Sequence, residues 1–328
     1  MRMKRLLSAL AALCLCLALL PPGTARAAGT PTRTEVLDLR TFTNPGTVEE
    51  NAAEGWRWEV TGPQEATLTL TNCYISPPNP EDGLSQVLSV PRNWTCNIVL
   101  NGDNVFEDQK GRFKQLVGGE TDPTEWDPVG TEDQTTFVIK GPGSLDIRST
   151  AQNPMCYGFG GRNLTIEGGT IPSNICFCTF GGAFRMTGGS LKIDQGTDDG
   201  IFVHEGPVQI TGGTVDIRAG LSGIVITGIP NKAPAKDVTI SGGDVKIQGT
   251  YGIFIKADAA ADPEIQSINL TGGEISVSGG SYGLIAPRIH VRGTNTIVKL
   301  EATAFVASNQ VSVTGGVLKT DVLPDSAA

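Results

Sequence analysis

Histidine is nearly absent from this chain: His204 and His290 are the only two in 328 residues. Catalysis or metal binding built on several imidazoles is therefore excluded. Charge is also sparse, at 18% of residues, against 39% hydrophobic residues. That balance excludes a disordered chain and leaves enough apolar surface for a core. Strong helix formers are scarce beside 42 glycines and abundant Thr, Ile and Val, so strands and turns are expected. No cysteine pair has metal-ligand spacing. After residue 20 no second long apolar run occurs, so nothing later in the chain is expected to hold it in a membrane.

The one long apolar run, Leu6 to Leu20, follows a basic start at Arg2, Lys4 and Arg5. It ends in Ala25-Arg26-Ala27, a small-x-small cleavage pattern. About 15 apolar residues are short for a membrane span. The pattern predicts a signal peptide over 1–27 and a secreted, extracellular chain. Removing its four basic residues and no acidic ones takes the net charge from −9 to −13. Nucleic acid and anionic lipid are then unfavourable partners. An acidic polysaccharide would also be repelled unless a cation bridged the two. Five cysteines remain (Cys73, Cys96, Cys156, Cys176 and Cys178), so at least one is unpaired in a monomer, the expected state. Their plainest role is as small buried hydrophobes.

The dominant signal is an internal repeat of the form apolar-x-apolar-x-Gly-Gly-x-apolar. It runs over Leu164 to Ile171, Phe184 to Ile193, Val208 to Ile217, Val238 to Ile247, Ile268 to Val277 and Val311 to Leu318. Looser copies lie at Phe137 to Ile147 and Ile289 to Leu300. The glycine pairs begin at 168, 188, 212, 242, 272 and 315. Spacing of this order, with strict alternation inside each copy, predicts one solenoid coil per repeat. Hairpins about Gly-Gly are the rival reading, but they do not account for the regular longer period.

A second apolar patch, led by glycine, recurs at Gly200-Ile201-Phe202-Val203, Gly223-Ile224-Val225-Ile226, Gly252-Ile253-Phe254-Ile255 and Gly283-Leu284-Ile285. Each coil then has about three short strands, and like residues stack as ladders. One predicted ladder is Phe137, Leu164, Phe184, Val208, Val238, Ile268, Ile289, Val311. The next is Ile139, Ile166, Met186, Ile210, Ile240, Leu270, Val291, Val313. The fold expected is all-β, a parallel β-helix of about 8–10 coils over 66–322. A cap over 28–65 precedes it and a tail, 323–328, follows. Longer loops at Pro77 to Pro91, Glu107 to Asp133, Thr227 to Lys236 and Asp258 to Gln266 are where function is expected.

Several segments carry a resemblance. They are Gly55-Trp56-Arg57-Trp58 with Ala66-Thr67-Leu68-Thr69-Leu70, Asn97-Ile98-Val99-Leu100-Asn101-Gly102-Asp103-Asn104, and Phe137-Val138-Ile139-Lys140-Gly141-Pro142-Gly143-Ser144-Leu145, followed by the repeated Ile-x-Gly-Gly-x-Val. Over roughly residues 50 to 320 the chain resembles secreted carbohydrate-binding-domain proteins of Gram-positive anaerobes. These are right-handed, pectate-lyase-like parallel β-helices. The resemblance implies binding of plant-type or acidic polysaccharide, with calcium on the helix. Its recurrent Asp-Gly-Ile is matched only at Asp199-Gly200-Ile201. Tyr157, Ser222, Tyr251 or Tyr282 stands before the glycine elsewhere.

Asp194, Asp198, Asp199 and Glu205 place four carboxylates on a glycine-containing turn. They suit a hard cation such as calcium, and equally a solvated turn. Sugars expose C–H patches that pack on aromatic faces. Trp126, in an acidic Pro-containing loop, is a candidate platform, and Trp94 is another. Tyr251 and Tyr282 stand at matching places one coil apart and are expected to stack. Trp56 and Trp58 read as packing residues. Asp198-Asp199-Gly200 resembles the acidic pair of pectin hydrolases on this fold, but their Gly-His-Gly and Arg-x-Lys are missing. The sequence therefore favours a non-enzymatic carbohydrate-binding module over a lyase or hydrolase. A protein-recognising adhesin is a third reading, and no sorting motif supports it.

Overall fold

The computed structural model describes residues 30–78, 87–109, 115–119, 134–150, 157–160, 163–180, 182–228, 236–256, 266–307 and 309–322. All but Thr30 fall in one compact unit, Pro31–Ala328. The chain is all-β, with most strands in one large, mostly parallel sheet. No helix among the described residues is long and apolar enough to cross a membrane.

Strands pair from repeat to repeat. Val208–Ile210 lies parallel to Phe184–Met186 on one side and to the start of Val238–Lys256 on the other. Thr214–Ala219, just past Gly212-Gly213, pairs parallel with Ser190–Gln195 and with the middle of Val238–Lys256. The strands flanking a glycine pair thus belong to different ladders, which excludes the hairpin. Both ladders expected from the sequence occur in register, from Phe137 and Ile139 through to Val311 and Val313. Their residues are buried as far as Ile289 and Val291. A third ladder runs through Phe177–Phe180, Ile201–His204, Ser222–Thr227 and the ends of Val238–Lys256 and Ser267–Ile285.

The bend between Val208–Ile210 and Thr214–Ala219, and the matching bend in the other repeats, is set by glycine. Gly169, Gly189, Gly213, Gly243 and Gly273 all have φ between 77° and 91°, a region that L side chains avoid. They also stack: a Cβ on Gly213 would lie 2.7 Å from the Gly189 carbonyl, and one on Gly243 equally close to that of Gly213. Conformation and close approach demand the same residue.

Pairing changes sense near the amino-terminal end. Val48–Asn51 and Trp56–Gly62 are antiparallel, and Trp56–Gly62 is antiparallel to Glu65–Thr71. Glu65–Thr71 then starts the parallel run against Thr95–Asn101. Trp58 is fully buried here and donates its indole N–H to the Phe42 carbonyl at 3.0 Å. Trp56 is partly buried and donates to Glu54 at 2.7 Å. Both pack as the sequence suggested. Cys73, Cys96, Cys176 and Cys178 are free and buried. Burial pushes the Cys73 thiol up to about 12 and the Cys96, Cys176 and Cys178 thiols up as well. Cys156 lies outside the described residues.

Candidate functional site

The third ladder begins at a corner where one position recurs from repeat to repeat. Ser222 pairs with Tyr251, Tyr251 with Tyr282, and Tyr282 with Ala304. Continuing the register of Ile201 with Ile224 places Asp199 beside Ser222. Two sets of residues read separately from the sequence therefore share one column. Tyr251 and Tyr282 stack with ring centroids 6.4 Å apart and planes inclined by 19°. Tyr251 also leans on Phe254, at 5.6 Å. Tyr282 is 37% exposed, and the small Ala304 follows it, so no third ring extends the stack. Leu221, also exposed, lies on the other side of Tyr251, whose N–H it accepts at its carbonyl. Together these make an apolar strip running along the stacking direction.

Asp199, earlier in this column, is 8% exposed. Its Oδ1 accepts the Ser222 N–H at 2.9 Å. Burial raises its carboxyl above the ordinary range; the Ser222 bonds offset part of this and the nearby Asp198 charge adds to it.

A cleft of about 540 Å³ opens at the opposite corner, between the end of the third ladder and the start of the first. Asn163, Arg185, Glu205, Gln209, Lys236 and Asp237 line it. These residues come from four successive repeats. Arg185 Nε donates to Gln209 Oε1 at 2.9 Å, which holds the guanidinium at the wall. Glu205 has φ +64°, an uncommon conformation for a residue other than glycine. Asp237 accepts the Ser267 N–H at 2.8 Å, and burial raises its carboxyl despite that bond and the nearby His290 and Lys236. Two carboxylates, a guanidinium and an ammonium thus share one recess. Sequence reasoning missed it because its residues lie on outward positions scattered over 163–237. The local signs were Glu205, read as a cation ligand, and the loop Thr227 to Lys236, expected to be functional.

The four carboxylates expected to hold calcium are not gathered. Asp194 points outward on Ser190–Gln195, Asp199 is buried, and Glu205 lies in the cleft. The strand Ile201–His204 separates Asp199 from Glu205 by more than about 13 Å of extended chain. Among the described residues no group of three or more His, Cys, Asp or Glu could hold a metal ion. The residues present do not fit calcium. Trp94 is corrected as a sugar platform: it is 8% exposed and belongs to the core. Trp126 lies outside the described residues. His204 sits edge-on to Phe202, and burial lowers its imidazole, a packing role.

No family model matches the chain, so none stands behind the family resemblance read from its segments. No curated protein matches it either. A solved structure described as a polysaccharide lyase-like protein from C. thermocellum, in a gadolinium derivative, is similar at 16% identity and a TM-score of 0.32. The match covers 87% of this chain and 95% of that one. The expectation of a non-enzymatic chain is corrected here: it does not stand beside a match whose description is lyase-like, and it is withdrawn.

Proposed function

We propose that this chain is a secreted right-handed parallel β-helix of about 8–10 coils that associates with polysaccharide along one outer face. In this reading 1–27 is a signal peptide, 28–65 a cap, 66–322 the helix and 323–328 a tail. The Tyr251–Tyr282 stack carries the proposal. Two parallel rings, the outer one open beyond Ala304, offer a flat apolar surface for the C–H face of a pyranose. Arg185 and Lys236 in the cleft supply the positive charge that an acidic glycan needs on a chain with an excess of acidic residues.

The test is retention on cellulose, pectin, polygalacturonate, xylan and mucin, each with calcium and with EDTA. Retention on at least one glycan is expected. Tyr282→Ala should weaken it about fivefold, the equivalent of about 1 kcal/mol of aromatic packing. Trp126→Ala tests the other proposed platform in the same assay. Undiminished retention in Tyr282→Ala removes the tyrosine stack from the site.

A second reading is catalysis in the cleft. Glu205 and Asp237 line the same recess, and Asp237 is pushed toward the protonated form that a general acid needs. It predicts new reducing ends or unsaturated uronates from pectin or polygalacturonate, lost in both Glu205→Gln and Asp237→Asn. Absence of product with and without calcium removes this reading.

A further inference from the structure

The two ends of the strand stack are unlike. At the amino-terminal end the inward residues Ala66, Leu68 and Leu70 are fully buried, and the antiparallel strand Trp56–Gly62 covers their edge. At the other end Val317–Val322 is paired on one side only among the described residues. Val311 and Val313 continue ladders whose earlier members are at most 1% exposed, yet they are 46% and 44% exposed. Val317 and Ile297 add exposed apolar surface beside them. Positions that are interior in the earlier repeats are here at the surface, and among the described residues the outer edge of Val317–Val322 is a template for another strand.

The last strand also sets like charges side by side. Lys319 lies directly beside Lys299, and Asp321 directly beside Glu301. Like charges opposite one another in a ladder are unfavourable. Lys299 is relieved by Glu274 at 2.7 Å, on the side away from the terminal strand. Lys319 and Asp321 are both exposed on the last edge.

We propose that a second copy of this chain docks on this open end through a two-fold axis, its Val317–Val322 strand antiparallel to the first. With Thr320 opposite Thr320, each Lys319 stands beside the second copy's Asp321, and each Asp321 beside its Lys319. The single register thus satisfies the free edge, covers the open rung and pairs both charges with opposite sign. The assembly closes at two copies because the two-fold axis uses the same carboxy-terminal strand of each copy. The inference stands apart from the sugar reading, since the open end shares no residue with the tyrosine stack or the cleft.

The test is sedimentation equilibrium of the purified chain from about 1 to about 100 μM. A reversible monomer–dimer equilibrium is expected, with no larger species. Val311→Lys with Val313→Lys should give monomer throughout, with an unchanged far-UV spectrum. Should that variant not fold, the surface changes carry the test. Lys319→Glu should weaken the dimer about tenfold, and adding Asp321→Lys in the same chain should restore it by swapping both signs across the axis. A wild-type chain that stays monomeric over the whole range overturns the proposal. So does a dimer indifferent to the valine changes, or a Lys319→Glu defect that the swap does not repair.

Discussion

Asp199 shows how much one position can depend on its neighbours. Its column continues as Ser222, Tyr251 and Tyr282, so a carboxylate shares a line with aromatic rings. Burial raises its carboxyl. Between the ordinary value, near pH 4, and the raised one, the folded chain holds a proton that the unfolded chain has released. Stability from this group therefore falls as pH rises through that window and levels off above it. Asp199→Asn keeps an oxygen for the Ser222 N–H and removes the titration. Its melting temperature relative to wild type should climb from about pH 4 upward and then become constant. A difference independent of pH would show that Asp199 does not titrate as its surroundings dictate. The cysteines allow a second check at this scale. Cys73, Cys96, Cys176 and Cys178 are buried with raised thiols, so a thiol reagent should be slow on the native chain and fast in denaturant. Rapid native labelling of any of the four, located by peptide mapping, contradicts their burial.

Among elements, the ladders were legible because two constraints fix one phase. Alternation says which residues point inward, and the Gly-Gly bend says where counting restarts. Phe184, Val208 and Val238 could thus be aligned by eye although 24 and 30 residues separate them. The same phase held information on Trp94: it alternates with Cys96, Ile98 and Leu100, all buried, so its inward position was readable. Asp194 is the reverse case. Nearness in sequence to Asp198 suggested a shared ion, but strand alternation turns it outward. The cleft was not legible because outward positions carry no periodic requirement, and the strained φ of Glu205 leaves no mark in a sequence. The ladder itself makes a strong prediction. Ile210→Asp puts a carboxylate between Met186 and Ile240 in a dry column and should cost several kcal/mol, seen as a much lower melting temperature or an insoluble product. Gln209→Asp, one residue away on the outward face, keeps an oxygen to accept from Arg185 and should cost far less.

For the whole molecule, contacts connect each repeat mainly to the one before and the one after, so stability accumulates rung by rung. One consequence concerns length. The glycine bends recur in phase, and Phe184 already meets Val208 as Val208 meets Val238. Excising 208–237 would join Pro207 to Val238 and bring Phe184 onto Val238, with Ser190–Gln195 facing the middle of Val238–Lys256 from Asp244 onward. Every inward residue would find an inward partner. Removing half of that segment would leave the remainder out of step and turn core residues to water. The paired part of this protein is therefore a quantised variable: its strands can be removed only by whole repeats, while the loops between them take up single residues, as the spacings of 20, 24 and 30 between glycine pairs show, which sets both how such a chain can be shortened in the laboratory and how it could have grown.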